Sequence, residues 1–281
     1  YQYSGNTNYA LNLSASTVNL PSGYDPYFGY GLVDAAAAVA RAVGQPFAFS
    51  DVPNLGGDNW GNDLVNAPEV WARGITGQGV VVAVIDSGVD YTHADLDNNI
   101  WINAREIAGN GIDDDGNGYI DDVRGWDFFS NDNNPMDSNG HGTHVAGTIA
   151  AENNGFGVTG VAYNARIMPV RVLGADGSGS NAGVAAGIRY AVDNGAHVIN
   201  LSLGGGFSQA VASAVEYASQ RGVVVVMASG NESEGQPGFP ARLANQYGIA
   251  VGAVNINQQI ANFSNLAGFS PLNYVVAPGV D

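Results

Sequence analysis

An α/β fold built on a mainly parallel sheet is what this sequence predicts, and three observations carry the prediction. Apolar runs at 80–85 (VVVAVI), 166–173 (RIMPVRVL), 198–203 (VINLSL), 223–228 (VVVVMA) and 248–254 (GIAVGAV) have the length and unbroken apolarity of strands buried on both faces. Helical spacing stands between them, at about 141–152, 181–194 (NAGVAAGIRYAVDN) and 207–221 (FSQAVASAVEYASQR). The chain has 281 residues, 45% of them hydrophobic, enough to bury a large core. Strands alternating with helices of this length specify a sheet flanked by helices on both sides, a three-layer arrangement. Ligands of such open sheets bind beyond the C-terminal ends of the strands. The residues that directly follow each apolar run are therefore the first candidates for chemistry.

The elements follow in order. Residues 1–26 are polar and turn-rich, and YFGYGLVDAAAAVARAVG (27–44) reads as a loop and an Ala-rich helix closed by Gly44. QPFAFSDVPNLGGDNWGND (45–63) has no periodicity and is dense in Pro, Gly, Asn and Asp. The expected organisation is an accessory segment at 1–44, a linker at 45–59 and one regular domain at 60–281. No repeat of solenoid or propeller length occurs inside 64–281.

Composition excludes several functions. The formal charge is −17 with nine Lys and Arg, which argues against nucleic acid and anionic membrane as partners and suits cations. There is no cysteine, so disulfides, thiol catalysis and Cys-based zinc sites are ruled out. No 18-residue apolar run offers a membrane span. The first residues carry no basic-then-apolar leader pattern, and without an initial Met they read as a processed or excerpted chain.

Asp86 follows the run VVVAVI, at the rim where ligands are expected. Alone it reads equally as a capping aspartate. SNGHGTHVAGTIA (138–150) places His141 and His144 three residues apart with no Glu between them, whereas a zinc-protease helix needs His-Glu-x-x-His. A proton-transfer role needs a carboxylate to orient the imidazole, and Asp86 can supply it. VVVVMASGNES ends a further run in Gly230-Asn231, whose amide could donate to a developing oxyanion, or simply form a turn.

Taken together, VIDSGVDYTHADL, GHGTHVAGTIA, NLSLGGG and MASGNES, in this order, resemble the subtilisin-like serine peptidases from about Trp60 to the last residue. The resemblance implies Asp86 as the triad aspartate, His141 as the general base and Asn231 as the oxyanion donor. It leaves His144 packed in the helix behind the site, with His93 and His197 structural. It also makes VLGADGSGS (172–180) and LSLGGG (201–206) the two edges that pair with an extended peptide, through Gly177, Ser178, Gly179, Ser202, Leu203, Gly204 and Gly205.

Calcium is the expected cofactor. NGIDDDGNGYIDDVRGW (110–126) sets Asp113, Asp115, Asn117 and Asp121 at positions 1, 3, 5 and 9 of an EF-hand-like loop, but Arg124 stands where the bidentate Glu belongs. A calcium site closed by other carboxylates is preferred here over a solvated acidic loop. The family resemblance implies a second site, from the side chains of Asp95 and Asn154 and the main-chain oxygens of Glu152, Phe156 and Val158.

The family's serine lies in a Gly-Thr-Ser-Met-Ala motif at the start of a buried helix, and no GTS occurs in this chain. PLNYVVAPGVD (271–281) resembles the strand end before that motif, while DPYFGYGLVDAAAAVARA (25–42) resembles the tail of such a domain. An excerpt of a tandem protein, an upstream accessory segment and, ranked last, a circular permutation are the explanations, beside an Ala-rich helix of no particular ancestry. Losing the nucleophile of such a triad costs about 10⁶ in kcat, so these 281 residues alone are expected to be inactive. The resemblance implies a secreted, calcium-stabilised, monomeric serine endopeptidase acting on extended polypeptides. The rivals are a non-catalytic calcium- and peptide-binding module and a structural acidic domain.

Overall fold

The computed structural model describes residues 20–280; the expected accessory segment lies outside it up to residue 19, as does Asp281. In chain order the elements are α1 (Ala35–Ala42), α2 (Trp60–Leu64), α3 (Ala67–Trp71), β1 (Val81–Asp86), β2 (Trp126–Asp127), α4 (His141–Ala150), β3 (Arg166–Arg171), α5 (Asn181–Asp193), β4 (Val198–Leu201), α6 (Gln209–Gln220), β5 (Val224–Ala228), β6 (Ile249–Val254) and β7 (Tyr274–Pro278). They form a seven-stranded sheet in the order β2-β3-β1-β4-β5-β6-β7, parallel throughout. The three-layer α/β expectation holds.

Each apolar run became a strand, and side-chain caps set the starts of α1, α5 and α6. The hydroxyls of Ser180 and Ser208 accept from the N–H groups of Gly183 and Val211, so α6 starts at Gln209 rather than at 207. The run at 166–173 leaves the ladder after Arg171, and the run at 198–203 leaves it after Leu201. One face of the sheet is sealed by α5 and α6 over Ile85, Val170, Ile199, Leu201, Val225 and Met227. On the other face α4 packs Ala146 and Ala150 on Val82, Val84 and Ile167.

That second face is covered only in part among the described residues. Val226 is in register with Ile249, Ala228 with Val251, Val251 with Val275 and Ala253 with Ala277. All of these are intermediate or exposed, and Val224 beside them is 43% exposed. The residues alternating with them on the same strands, such as Met227, Ala250 and Tyr274, are fully buried.

Residues 30–33 dock on β7. Tyr30 N–H donates to Tyr274 O (2.8 Å), Val276 N–H to Gly31 O (2.9 Å) and Val33 N–H to Val276 O (3.0 Å). The Tyr24 hydroxyl donates to Ala267 O (3.2 Å), and α1 packs against α3. Gly29, at φ 60°, lies so close to Tyr274 that a Cβ would overlap its carbonyl oxygen. Most of residues 43–58 are exposed.

Candidate active site and cation loops

β1 lies inside the sheet between β3 and β4, and its last residue, Asp86, is fully buried at the rim. α4 opens at the same rim with His141. The two approach because Gly142 has no side chain: a Cβ there would overlap the Gly88 carbonyl oxygen and lie 3.1 Å from Asp86 Cβ. Asp86 Oδ1 accepts from Ser87 N–H (2.7 Å) and from His141 Nδ1 (2.7 Å). A buried carboxylate at that distance selects the Nδ1–H tautomer and leaves Nε2 free as an acceptor at the cleft. The hydrogen bond to Asp86 raises the His141 pKa above the ordinary imidazole value; burial opposes it, and the charges of Asp86 and Asp137 add to the rise. Asp86 Oδ2 has no partner among the described residues.

The cleft at this pair has a volume of about 470 Å³ and is lined by Asp86, His141, Gly177, Ser178, Gly179, Ser202, Leu203, Gly204 and Gly205. All the residues expected on the two peptide-binding edges are thus brought to one cleft. Gly205 N–H is taken by Phe239 O (3.1 Å), and Leu173 and Gly179 form a small antiparallel bridge. A second cleft of about 800 Å³ shares Ser202–Gly205 with the first and continues to Asn231. Asn231 is exposed on the loop after β5. Asn265 holds that loop: its Oδ1 accepts from the N–H groups of Glu232 (3.1 Å) and Glu234 (2.8 Å), and its Nδ2 donates to Ser229 O (3.1 Å).

The other histidines are placed as follows. His144 is exposed on α4, which corrects the expectation of a packed residue; the helix turns Gly142, Ala146 and Ala150 inward instead. His197 Nδ1 accepts from Val81 N–H (3.0 Å) and His93 Nδ1 from Asp95 N–H (3.2 Å), both structural roles.

In the acidic loop, carboxylate oxygens of Glu106, Asp113 and Asp115 lie within 4.8 Å of one another. Glu106 was not anticipated; it precedes the acidic run, within a turn-rich stretch that gave it no spacing to read. The Asp121 carboxylate instead accepts from the N–H groups of Gly109, Asn110 and Gly111. Asn117 uses its Oδ1 on Tyr119 N–H and its Nδ2 on Asp122. Arg105 pairs with Asp115 at 2.9 Å. Buried Asp122 also accepts from the Tyr190 hydroxyl (2.5 Å), whose pKa is driven far up by burial and then by Asp122 itself. Around the second expected site, Asp95 is 3% exposed; its Oδ2 accepts from Val158 N–H (3.0 Å) and its Oδ1 has no partner among the described residues. Asn154 Oδ1 accepts from Phe156 N–H (2.8 Å), and Glu152 N–H donates to Asp95 O (2.9 Å).

Comparison with known proteins gives a consistent picture. The chain is 46% identical over 224 residues to an alkaline protease of Alkalihalobacillus alcalophilus, covering 79% of this chain and 51% of that protein. It is 45% identical over 224 residues to Subtilisin Savinase of Lederbergia lenta, covering 79% and 72%. The chain thus spans about half the length of some of the curated relatives it matches. Among solved structures, a cold-adapted subtilisin-like serine proteinase matches with a TM-score of 0.57 at 36% identity, over 73% of this chain and 64% of that one. A family model described as the subtilase family matches residues 77–281. On the fold and on this match, the chain belongs to the subtilase family.

Proposed function

We propose that this chain carries two members of a serine-peptidase triad, Asp86 and His141, for the hydrolysis of extended polypeptides, with the nucleophilic serine supplied by polypeptide outside these 281 residues. The 2.7 Å bond between buried Asp86 and His141 is the observation that carries the reading. In this chemistry His141 Nε2 takes the serine hydroxyl proton as the oxygen attacks the peptide carbonyl. Asp86 stabilises the imidazolium, Asn231 donates to the oxyanion, and His141 returns the proton to the leaving amine. The partly open apolar face of β5, β6 and β7 supports a helix there, because parallel sheets are covered on both sides. Residues 24–42 would be the terminal element of the same domain, separated from 60–281 by the linker at 45–59. The relatives' printed names, alkaline protease and subtilisin, support proteolysis; a secreted, monomeric enzyme is what the family resemblance implies.

Calcium fits both acidic places. The donors at Glu106, Asp113 and Asp115 are hard oxygens, and at the second place the orphaned Asp95 Oδ1 lacks a cation or donor. Asp95 and Asn154, with the main-chain oxygens of Glu152, Phe156 and Val158, would hold the second ion. Bound calcium would cross-link loops and take no part in the proton transfers.

The test compares the 281-residue chain with one continued through the coding sequence downstream of Asp281, using a peptide p-nitroanilide and a fluorophosphonate label. Turnover and labelling in the longer chain alone are the expected result. A longer chain that binds peptide without cleaving it would favour the binding-module reading.

A further inference from the structure

We propose that Asp137 is the positioning residue of this site, a single carboxylate that fastens the strand end carrying Asp86 to the helix start carrying His141; the proposal rests on the reading of that pair as the catalytic one. α4 begins badly by local rules. Its N-cap, Gly140 at φ 99°, has no side chain to accept the free N–H groups of the first turn. Residues outside the helix accept them instead. Asp137 Oδ2 takes Thr143 N–H (2.9 Å) and the Thr143 hydroxyl (2.6 Å). Ser87 Oγ takes Gly142 N–H (3.0 Å), and Asn139 Oδ1 takes His141 N–H (3.3 Å).

Asp137 Oδ1 then closes the network. It accepts from the Ser87 hydroxyl (2.9 Å), the N–H of Asn139 (2.9 Å) and the N–H of Gly140 (2.9 Å). Ser87 directly follows Asp86, so the chain Asp86–Ser87–Asp137–α4 forms a closed ring of covalent and hydrogen bonds around the Asp86–His141 contact. Burial pushes the Asp137 pKa up, but the bonds from the Thr143 hydroxyl and from the N–H groups of Gly140, Asn139 and Thr143 outweigh it and hold the group below the usual carboxylate range. The charges facing His141 are Asp86 from β1 and Asp137 from the preceding loop. Arg171, from β3, reaches Ser138 Oγ but pairs with Asp127.

An asparagine at 137 keeps the shape, removes the charge and turns one acceptor into a donor facing donors. The test follows the His141 ring by nitrogen-resolved NMR in the 281-residue chain, in wild type, Asp137→Asn and Asp63→Asn. Asp63 is the control because it also caps two N–H groups, those of Leu55 and Gly56, in a different loop. The expected result in Asp137→Asn is a His141 that titrates at lower pH than in wild type, with loss of the slowly exchanging Nδ1–H signal. Exchange of the Gly142 and Thr143 amides should rise about tenfold, the equivalent of one lost cap. Asp63→Asn should change none of these.

A folded Asp137→Asn chain with an unaltered His141 titration and Nδ1–H signal overturns the proposal. Should Asp137→Asn fail to fold, Ser87→Ala cuts the bridge alone: the same direction of change supports the proposal, and an unaltered ring overturns it. Asp86→Asn separates the underlying reading. If His141 is indifferent to that change, the pair itself is wrong, whatever Asp137 does.

Discussion

Substituting Gly142 by Ala adds one methyl where the site has no room for it. The new Cβ overlaps the Gly88 carbonyl oxygen and stands 3.1 Å from Asp86 Cβ. Neither neighbour is a flexible tip: one is backbone, the other the stem of a buried carboxylate. Restoring an ordinary contact of about 3.5 Å moves the start of α4 away from the Gly88 carbonyl by about 1.4 Å. The His141–Asp86 bond, 2.7 Å in the structure, then stretches past the limit of a hydrogen bond. Overpacking of this kind costs about 1–3 kcal/mol. Gly147 in the same helix is the internal control, because a Cβ there meets nothing within 4 Å. Gly147→Ala should gain about 0.5–1 kcal/mol from helix propensity alone. Urea unfolding measures both changes, and the His141 Nδ1–H resonance reports the bond. An unchanged midpoint and an intact resonance in Gly142→Ala would refute the packing argument.

Three further outcomes follow from the structure. Calcium at a hundred times its Kd should raise the unfolding free energy by about 2.7 kcal/mol per site; Asp95→Asn should remove one increment, and an unchanged calcium response by calorimetry would sink the second site. The His141 pKa is raised in the fold, so the stability from the protonated pair is full below the ordinary imidazole pKa of about 6.5 and is lost as pH rises through the raised value. Unfolding midpoints measured across that window should fall, with the slope reduced in Asp86→Asn; the half-exposed ring keeps the effect small. Gly29→Ala, which forces a Cβ against Tyr274 at a left-handed φ, should release residues 24–42 and open them to limited proteolysis, while resistance equal to wild type would contradict the docking.

What the sequence made legible was what depends on local spacing. Buried parallel strands announce themselves as unbroken apolar runs, and Asp86 and His141 sit at element ends that periodicity locates. What stayed hidden depends on contacts distant in the chain. β2 has two residues, Trp126 and Asp127, too few for any pattern, and is a strand only because β3 lies beside it. Glu106 joins Asp113 and Asp115 only through the folding of an irregular loop. Asp137 reads as an ordinary loop aspartate until Ser87 arrives from fifty residues upstream. The exposure of His144 could not be foreseen, since the small-residue pattern of α4 fixes which side faces inward but not what covers the outer side.

The pairing of residues 30–33 with β7 also sets an order of events during synthesis. Tyr30 leaves the ribosome well before its partner Tyr274 is made. At about 5–20 residues per second, the early segment waits on the order of 12–50 s for the strand it will join. Throughout that interval Tyr24 and Leu32 lack their partners Ala267 and Val276. The β7 edge is therefore closed by a segment made long before the strand it covers.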